Sequence, residues 1–214
     1  QVFAAGGDLK AAFGFSKGGN LYLSQYMGDL ERPQNLARWK SEMMRMERLF
    51  AVSPSRAVCA LHPGYYSAQV CDTLGLPVKR LQHHFAHTLS VMAEFSLDRV
   101  IGISFDGTGY GTDGSVWGGE FLLCDRHDFR RLGHLAAFTM LGGDDAARDA
   151  KKCAVAALLS AGIEENVLQD ARHPIIAAAL RQGVHTVKTT SAGRLFDTVS
   201  ALLGLCMENR FEGA

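Results

Sequence analysis

Long apolar runs are missing from this 214-residue chain. No stretch approaches the roughly 18 to 20 residues needed to cross a bilayer, and the first residues carry neither the basic start nor the apolar core of a signal peptide. The expectation is a soluble cytoplasmic protein with no membrane partner. Neither sign of charge is in excess: 22 Lys and Arg stand against 22 Asp and Glu, and no run of like charges occurs. The electrostatic footprint of a nucleic-acid or anionic-membrane binder is therefore lacking. Cysteine is sparse and unpatterned. The five cysteines (Cys59, Cys71, Cys124, Cys153, Cys206) are odd in number, widely spaced and without a Cys-x-x-Cys pair, which argues against a disulfide framework and against a cysteine zinc site. Reduced, mostly buried thiols are expected, and Cys59, Cys71 and Cys153 in their apolar contexts read as inert. Aromatic residues make up only 9%, but a hydrophobic content of 47% suffices for a substantial core, at a size where one domain ends and a second begins.

The N-terminal stretch alternates short apolar runs with glycines (Val2 to Ala5, Gly6-Gly7, Phe13 to Phe15, Gly18-Gly19, Leu21 to Leu23), the pattern of strands joined by tight turns. From Pro33, apolar Leu36, Trp39, Met43, Met46 and Leu49 recur at three and four with charges between them, which predicts an amphipathic helix with proline at its start. The methionines read as core filler. Next come strands at 57–61, 78–81 and 100–105 alternating with helices near 65–74 and 83–95, an order that favours parallel strands with helices packed on them. Further strands are expected at 115–124 and 129–139. Beyond Asp144 the chain reads as helical, with helices at 146–161, 174–182 and 191–205. The change of pattern near Gly142-Gly143 is read as a lobe boundary, giving segments 1–141 and 142–214. The chain opens on Gln1 and stops at Ala214 soon after a strong helix pattern, so a piece of a longer protein is expected.

Chemistry concentrates in two places. His83 and His87 are four apart, so on a helix they share a face and can chelate one ion. Asp106, at the mouth of the following buried strand, can add an oxygen ligand, and two imidazoles with a carboxylate suit iron or zinc better than magnesium. Histidines also cap helices and hydrogen-bond within cores; His84, on a different face, is read as pointing elsewhere. Directly after comes Asp106-Gly-Thr-Gly-Tyr-Gly-Thr-Asp-Gly114, whose glycines allow backbone N–H groups to crowd around an anion. The same residues could form a plain hairpin, since Thr112-Asp-Gly114 is an ordinary turn signature, and they make neither a Walker loop nor a Rossmann fingerprint. In Ser191-Ala-Gly-Arg-Leu-Phe-Asp197, the apolar positions Leu195, Phe196, Val199, Leu202 and Leu203 define an expected packing face. Asp197 lies off it, available to sugar hydroxyls or simply solvated. Lys10 and Lys17 border glycine turns and could meet phosphates or do nothing. No nucleophilic triad is recognisable.

The wording of several segments is more specific than their spacing. Gly7-Asp-Leu-Lys10, Leu61-His-Pro-Gly-Tyr65, Gln82-His-His-Phe-Ala-His87, Asp106 through Trp117-Gly-Gly-Glu120 and Ser191 through Gly204 together resemble the C-terminal carbamoyltransferase region of the HypF family of hydrogenase maturation factors. The resemblance runs over nearly the whole chain. It implies an α/β, actin/hexokinase-like (ribonuclease-H-like) lobe with a mixed sheet and flanking helices, followed by the helical start of a second, truncated lobe. It also implies an activity: carbamoyl-adenylate, made from carbamoyl phosphate and ATP, gives its carbamoyl group to the C-terminal cysteine of HypE. Carried over by position, His83, His87 and Asp106 match metal ligands, and Asp106, Gly107, Thr108, Gly109 and Tyr110 match a stretch lining the nucleotide phosphates. Asp197 matches a ribose-binding aspartate and Gly213 a glycine near the nucleotide; Lys10 and His62 fall near the reactive centre. The implied cofactors are iron or zinc, with magnesium for the nucleotide.

The family's segment beyond Glu212-Gly213 and its acylphosphatase-like, zinc-finger and adenylate-forming regions are not in this sequence, so turnover by this chain unaided is not expected. A small-molecule O-carbamoyltransferase shares the histidine and aspartate motifs, though Leu61-His-Pro and Trp117-Gly-Gly-Glu120 favour HypF. A noncatalytic actin-like nucleotide-binding module is the alternative from another class; it would leave His83 and His87 as satisfied core residues.

Overall fold

The computed structural model describes residues 1–143, 148–163 and 173–209, and the chain divides into two compact units, Gln1–His83 and His84–Ala214. The first unit holds a five-stranded sheet in the order β3-β2-β1-β4-β5, made of β1 (Val2–Ala4), β2 (Gly14–Lys17), β3 (Asn20–Leu23), β4 (Arg56–Ala60) and β5 (Val78–Leu81). The glycine-punctuated N-terminus gives the antiparallel β1-β2-β3 meander, while β1, β4 and β5 run parallel, as the alternation of strands and helices predicts.

Helix α1 (Pro33–Leu49) begins with proline in its first turn, where the missing N–H costs nothing. It buries Trp39, Met43 and Met46 at the expected spacing. Trp39 meets Phe3 and Phe13 edge-on at 5.9 and 5.4 Å, and each such fully buried ring is worth roughly 1.5–3 kcal/mol. Lys17, considered from sequence as a phosphate contact, instead donates from Nζ to the carbonyls of Phe50 and Ala51 at 2.8 and 2.7 Å. It satisfies the C-terminal end of α1, where a cation is favoured. Helix α2 (Tyr66–Thr73) has no cap from its own N-cap residue. The buried carboxylate of Asp8 supplies one, accepting from Tyr66 N at 2.7 Å, Ser67 N at 3.0 Å and Ser67 Oγ at 2.7 Å, a contribution of about 1 kcal/mol.

The second unit is built on a sheet of order β6-β7-β10-β9, with β8 paired to β7. Its strands are β6 (Arg99–Tyr110), β7 (Val116–Asp125), β8 (Phe129–His134), β9 (Phe138–Leu141) and β10 (Thr186–Thr189). The single strand expected over 129–139 is thus two, and β10 falls where only helices were expected. The lobe boundary read near Gly142-Gly143 lies inside this unit, because β9 before it pairs antiparallel with β10 after it over Thr186 to Thr189. Helices α4 (Ala150–Ser160), α5 (His173–Arg181) and α6 (Ala192–Leu202) follow the expected places; the expected start of the first of them, at 146, lies outside the described residues. Asp149 caps α4 through Lys151 N at 3.2 Å. Mixed sheets with flanking helices are the expected fold class. Among the described residues no helix is long and apolar enough to cross a membrane.

Helix α3 (His83–Glu94) packs tightly on β6 because Gly102 has no side chain: a Cβ there would sit 2.5 Å from Thr88 Oγ1. Thr88 in turn donates to the carbonyl of His84 at 3.0 Å. Gly102→Val forces α3 off β6; overpacking of this kind costs about 1–3 kcal/mol. A thermal unfolding midpoint unchanged from the parent would disprove the close approach.

Candidate functional site

The sequence expectation of a glycine turn over Asp106–Gly114 resolves into two structures. The turn itself spans Gly111 to Ser115, closed by Gly111 N on the Ser115 carbonyl at 2.9 Å and by Asp113 accepting from Ser115 N and Oγ at 3.0 and 2.6 Å. Before it, β6 is irregular. Phe105 pairs with Gly119 and Gly109 with Trp117, so four steps along β6 match two along β7. The extra length bulges out of the ladder at Asp106, Gly107 and Thr108, and a bulge re-aims the side chains it carries.

Asp106 is turned toward α3. Its Oδ2 lies 3.5 Å from His84 Nε2 and 3.8 Å from His87 Nε2, while Oδ1 accepts from Gly107 N at 2.6 Å. The dividing line between the two units falls inside the first turn of α3, so His83 stands with that helix. Ligand atoms of His83, His84 and Asp106 all lie within 4.8 Å of one another. His84 therefore does not point elsewhere, as its helical face suggested. It is fully buried against Asp106, whereas the His87 side chain is 61% exposed. One turn of helix thus offers imidazoles to the same carboxylate from the buried and the open side.

The backbone of the bulge is held by α6. Ser191, the N-cap of α6, has its Oγ 3.0 Å from the carbonyl of Asp106 and 2.7 Å from that of Gly107, and accepts from Arg194 N at 3.1 Å. Contact is close enough that a Cβ on Gly193 would stand 2.8 Å from Gly107 Cα. The expected packing face of α6 is inverted. Ala192, Asp197, Thr198 and Ala201 are buried, and Phe196 and Leu203 are each 67% exposed. Asp197 is not a solvated charge: Oδ1 accepts from Asn209 Nδ2 at 2.7 Å and Oδ2 lies 3.1 Å from Arg194 NH1.

Behind Ser191 lies a polar cluster that sequence spacing did not reveal. Glu120 on β7 is fully buried and accepts from Arg131 Nε at 2.6 Å, from Gly118 N and Gly119 N at 3.2 and 3.3 Å, and from the Thr190 hydroxyl. Arg131 also reaches Asp113 and the Thr190 hydroxyl, each at 3.3 Å, and its guanidinium lies 4.0 Å over the Trp117 ring. Burial alone would raise the Glu120 carboxyl, but Arg131, Thr190 and Gly118 N–H outweigh it and hold it below the ordinary glutamate value. The one available signal was the Trp117-Gly-Gly-Glu120 wording. Spacing cannot find a partner such as Thr190, 70 positions on.

Lys10 and His62 belong to the first unit, where Lys10 takes a left-handed backbone (φ 49°) and its N–H donates to Asp29 Oδ1 at 2.9 Å. His62 stacks on Tyr65 at 4.6 Å and its Nδ1 accepts from Gly64 N at 3.1 Å. Asp8 links the two loops by capping α2. Gly213 lies outside the described residues. All five cysteines are free thiols, and burial pushes Cys71 and Cys153 up to about 12, as the inert reading requires.

Two family models match the chain: the HypF Kae1-like domain over residues 1–94 and the carbamoyltransferase Kae1-like domain, second subdomain, over residues 102–214. The chain belongs to the HypF carbamoyltransferase family. Carbamoyltransferase HypF of Synechocystis sp. is 34% identical over 237 residues, which takes in 100% of this chain and 31% of that protein. Probable carbamoyltransferase HypF of Methanocaldococcus jannaschii is 32% identical over 227 residues, 100% of this chain and 30% of its own length. The crystal structure of full-length HypF in the phosphate- and nucleotide-bound form matches with a TM-score of 0.94 at 37% identity, covering 99% of this chain and 34% of that one. HypF of T. kodakarensis matches with a TM-score of 0.88 at 30% identity, over 100% and 31%. The chain thus spans about a third of the length of these HypF relatives, and the actin/hexokinase-like fold expected from the motifs is theirs.

The depressed Glu120 carboxyl sets a pH dependence. Because its folded pKa lies below its unfolded one, the stability it contributes is full at neutral pH. That contribution fades as pH falls below the ordinary value of about 4.3 toward the folded one. Glu120→Gln removes the charge that balances the half-buried Arg131 and leaves buried donors without their acceptor, at a cost of about 1–3 kcal/mol. Urea unfolding of the variant should show lower stability at pH 7 and a flatter decline between neutral and acid pH; parallel curves for parent and variant would rule out the linkage.

Proposed function

We propose that this chain is the carbamoyl-transfer end of a HypF-type enzyme of the cytoplasm. It receives carbamoyl-adenylate, made from carbamoyl phosphate and ATP, and passes the carbamoyl group to the C-terminal cysteine of HypE, on the way to the cyanide ligands of nickel–iron hydrogenase. The observation that carries this reading is the meeting of the α3 histidines with Asp106 at the bulge leading into the glycine segment.

Carbamoyl transfer needs a polarised carbonyl and a stabilised adenylate leaving group. The donor set, imidazole nitrogens with a carboxylate oxygen, fits iron or zinc rather than magnesium. Two ligand atoms each about 2.1 Å from a shared ion stand at most about 4.2 Å apart, a limit that His87 Nε2 and Asp106 Oδ2, at 3.8 Å, already meet. Held by His83, His87 and Asp106, a divalent metal would supply Lewis-acid polarisation worth several kcal/mol. His84, buried behind Asp106, orients the carboxylate, as outer partners of metal ligands commonly do. Asp106, Gly107, Thr108, Gly109 and Tyr110 line the nucleotide phosphates, with magnesium as the nucleotide's counter-ion. Asp197 and Gly213 stand at the family's ribose and nucleotide positions, and Lys10 and His62 serve the reactive centre. Support for a nucleotide comes from the full-length HypF that crystallised with phosphate and nucleotide. The acceptor is a thiolate carried by the partner protein: Cys71 and Cys153, pushed up to about 12, are no nucleophiles at neutral pH.

Two measurements test this. The parent should bind stoichiometric iron or zinc that a His83→Ala, His87→Ala double variant loses; an intact parent free of metal favours a noncatalytic nucleotide-binding module instead. In the complete protein, supplied with HypE, carbamoyl phosphate and ATP, Asp106→Ala should leave adenylate formation intact and stop transfer. Equal loss of both steps would contradict the division of labour.

A further inference from the structure

The second unit contains a largely buried cation that none of the expected site residues accounts for. Arg194 lies in the first turn of α6 with its side chain only 13% exposed, and among the described residues its buried Nε and NH1 atoms find no hydrogen-bond acceptor. The carboxylate beside it, Asp197 Oδ2, is 3.1 Å from NH1, an ion pair outside hydrogen-bond geometry. Guanidinium N–H groups are obligatory donors in a planar fork, and a buried donor left unsatisfied costs about 1–3 kcal/mol. Such an arrangement is stable against that cost when an acceptor with several lone pairs completes it.

The third nitrogen of the guanidinium, NH2, faces the glycine bulge. A side-chain carbon built on Gly107 would have Arg194 NH2 as its nearest neighbour, at 3.8 Å, so the guanidinium looks onto the bare face of the bulge. Ser191 pins this first turn of α6 to the carbonyls of Asp106 and Gly107, fixing the distance between fork and bulge. Asp197 is itself fixed by Asn209, which makes it a rigid stop for the guanidinium. Because Asp197 already offsets the charge of Arg194, what the arginine offers an anion is directed N–H donors more than a bare positive field. A tetrahedral oxyanion presents paired oxygens that match the fork.

We propose that Arg194 binds a phosphate group of the nucleotide over Gly107, with Asp197 as the positioning residue that holds the guanidinium in place. The inference rests on the nucleotide reading of Asp106–Tyr110 given under Proposed function and deepens it by naming the group that meets the charge. It gives Asp197 a role through Arg194 in addition to any contact with the sugar.

The test compares ligands with and without phosphate, titrating ATP and adenosine calorimetrically into the full chain. Arg194→Met should weaken ATP about tenfold or more while leaving adenosine within about twofold, and Arg194→Lys, which keeps the charge but loses the fork, should fall between. Asp197→Asn, which also loses any sugar contact, should weaken ATP by more than it weakens adenosine. Equal weakening of ATP and adenosine would reduce Arg194 to a shaping role and overturn the proposal, as would undiminished ATP affinity. Should Arg194→Met fail to fold, the ratio of ATP to adenosine affinity in Arg194→Lys decides: a ratio lower than the parent's supports the inference and an unchanged one overturns it. A parent that binds neither ligand overturns the nucleotide reading and this inference with it. A parent that binds both, with variants that do not discriminate, overturns the inference alone.

Discussion

Everything at the candidate site depends on the mismatch between β6 and β7. Where four steps of one strand stand against two of the other, the backbone of Asp106, Gly107 and Thr108 loses its ladder partners, and the freed groups must be paired elsewhere or pay for their burial. Three of them are paired locally. Gly107 N turns onto the side chain of Asp106, and the two carbonyls turn toward Ser191. A regular strand would have sent the Asp106 side chain wherever the pleat dictated. The bulge sends it toward the histidines of α3 and leaves Gly107 facing α6.

That arrangement is held from behind by polar groups gathered on the fully buried Glu120. Glu120, Arg131, Thr190 and Asp113 form one connected set, and Thr190 is joined through the chain to Ser191. Buried ion pairs are poor sources of net stability, since desolvation of both charges offsets their attraction. A fully partnered set is different in one respect: it admits few alternative arrangements. What Glu120 and Arg131 give the molecule is a fixed position for the start of α6, and hence a fixed position for the bulge.

The legible parts of the sequence were those governed by local periodicity. Pro33 with Trp39, Met43 and Met46 announced α1, and the spacing of His83 and His87 put both on α3. The motif wording reached the family. Long-range pairing was not legible. Strand β10 is four residues long and earns its place only by lying between β7 and β9, so no local pattern marks it. His84 was assigned away from Asp106 because helical geometry separates it from His83 and His87. Burial over β6 at Gly102, which no periodicity contains, brings it back. Lys17, read beside its glycines as a phosphate contact or an idle surface charge, proved to cap the end of a helix at a carbonyl 33 residues further on.

Helix α6 shows why the site's chemistry escaped the hydrophobic pattern. Its apolar positions do form a stripe, and the inference that this stripe packs inward is sound for most helices. Here the inward face must approach the bulge almost backbone to backbone at Gly193 and lie against Ala150 and Ala154 of α4 through Ala201, so it can carry only small residues. The remaining inward positions are polar, Asp197 and Thr198, with Arg194 beside them. Burying a guanidinium and a carboxylate where alanine or leucine would fit is unfavourable for folding alone. A helix that turns its charges inward and its leucines outward therefore gives up stability at that face.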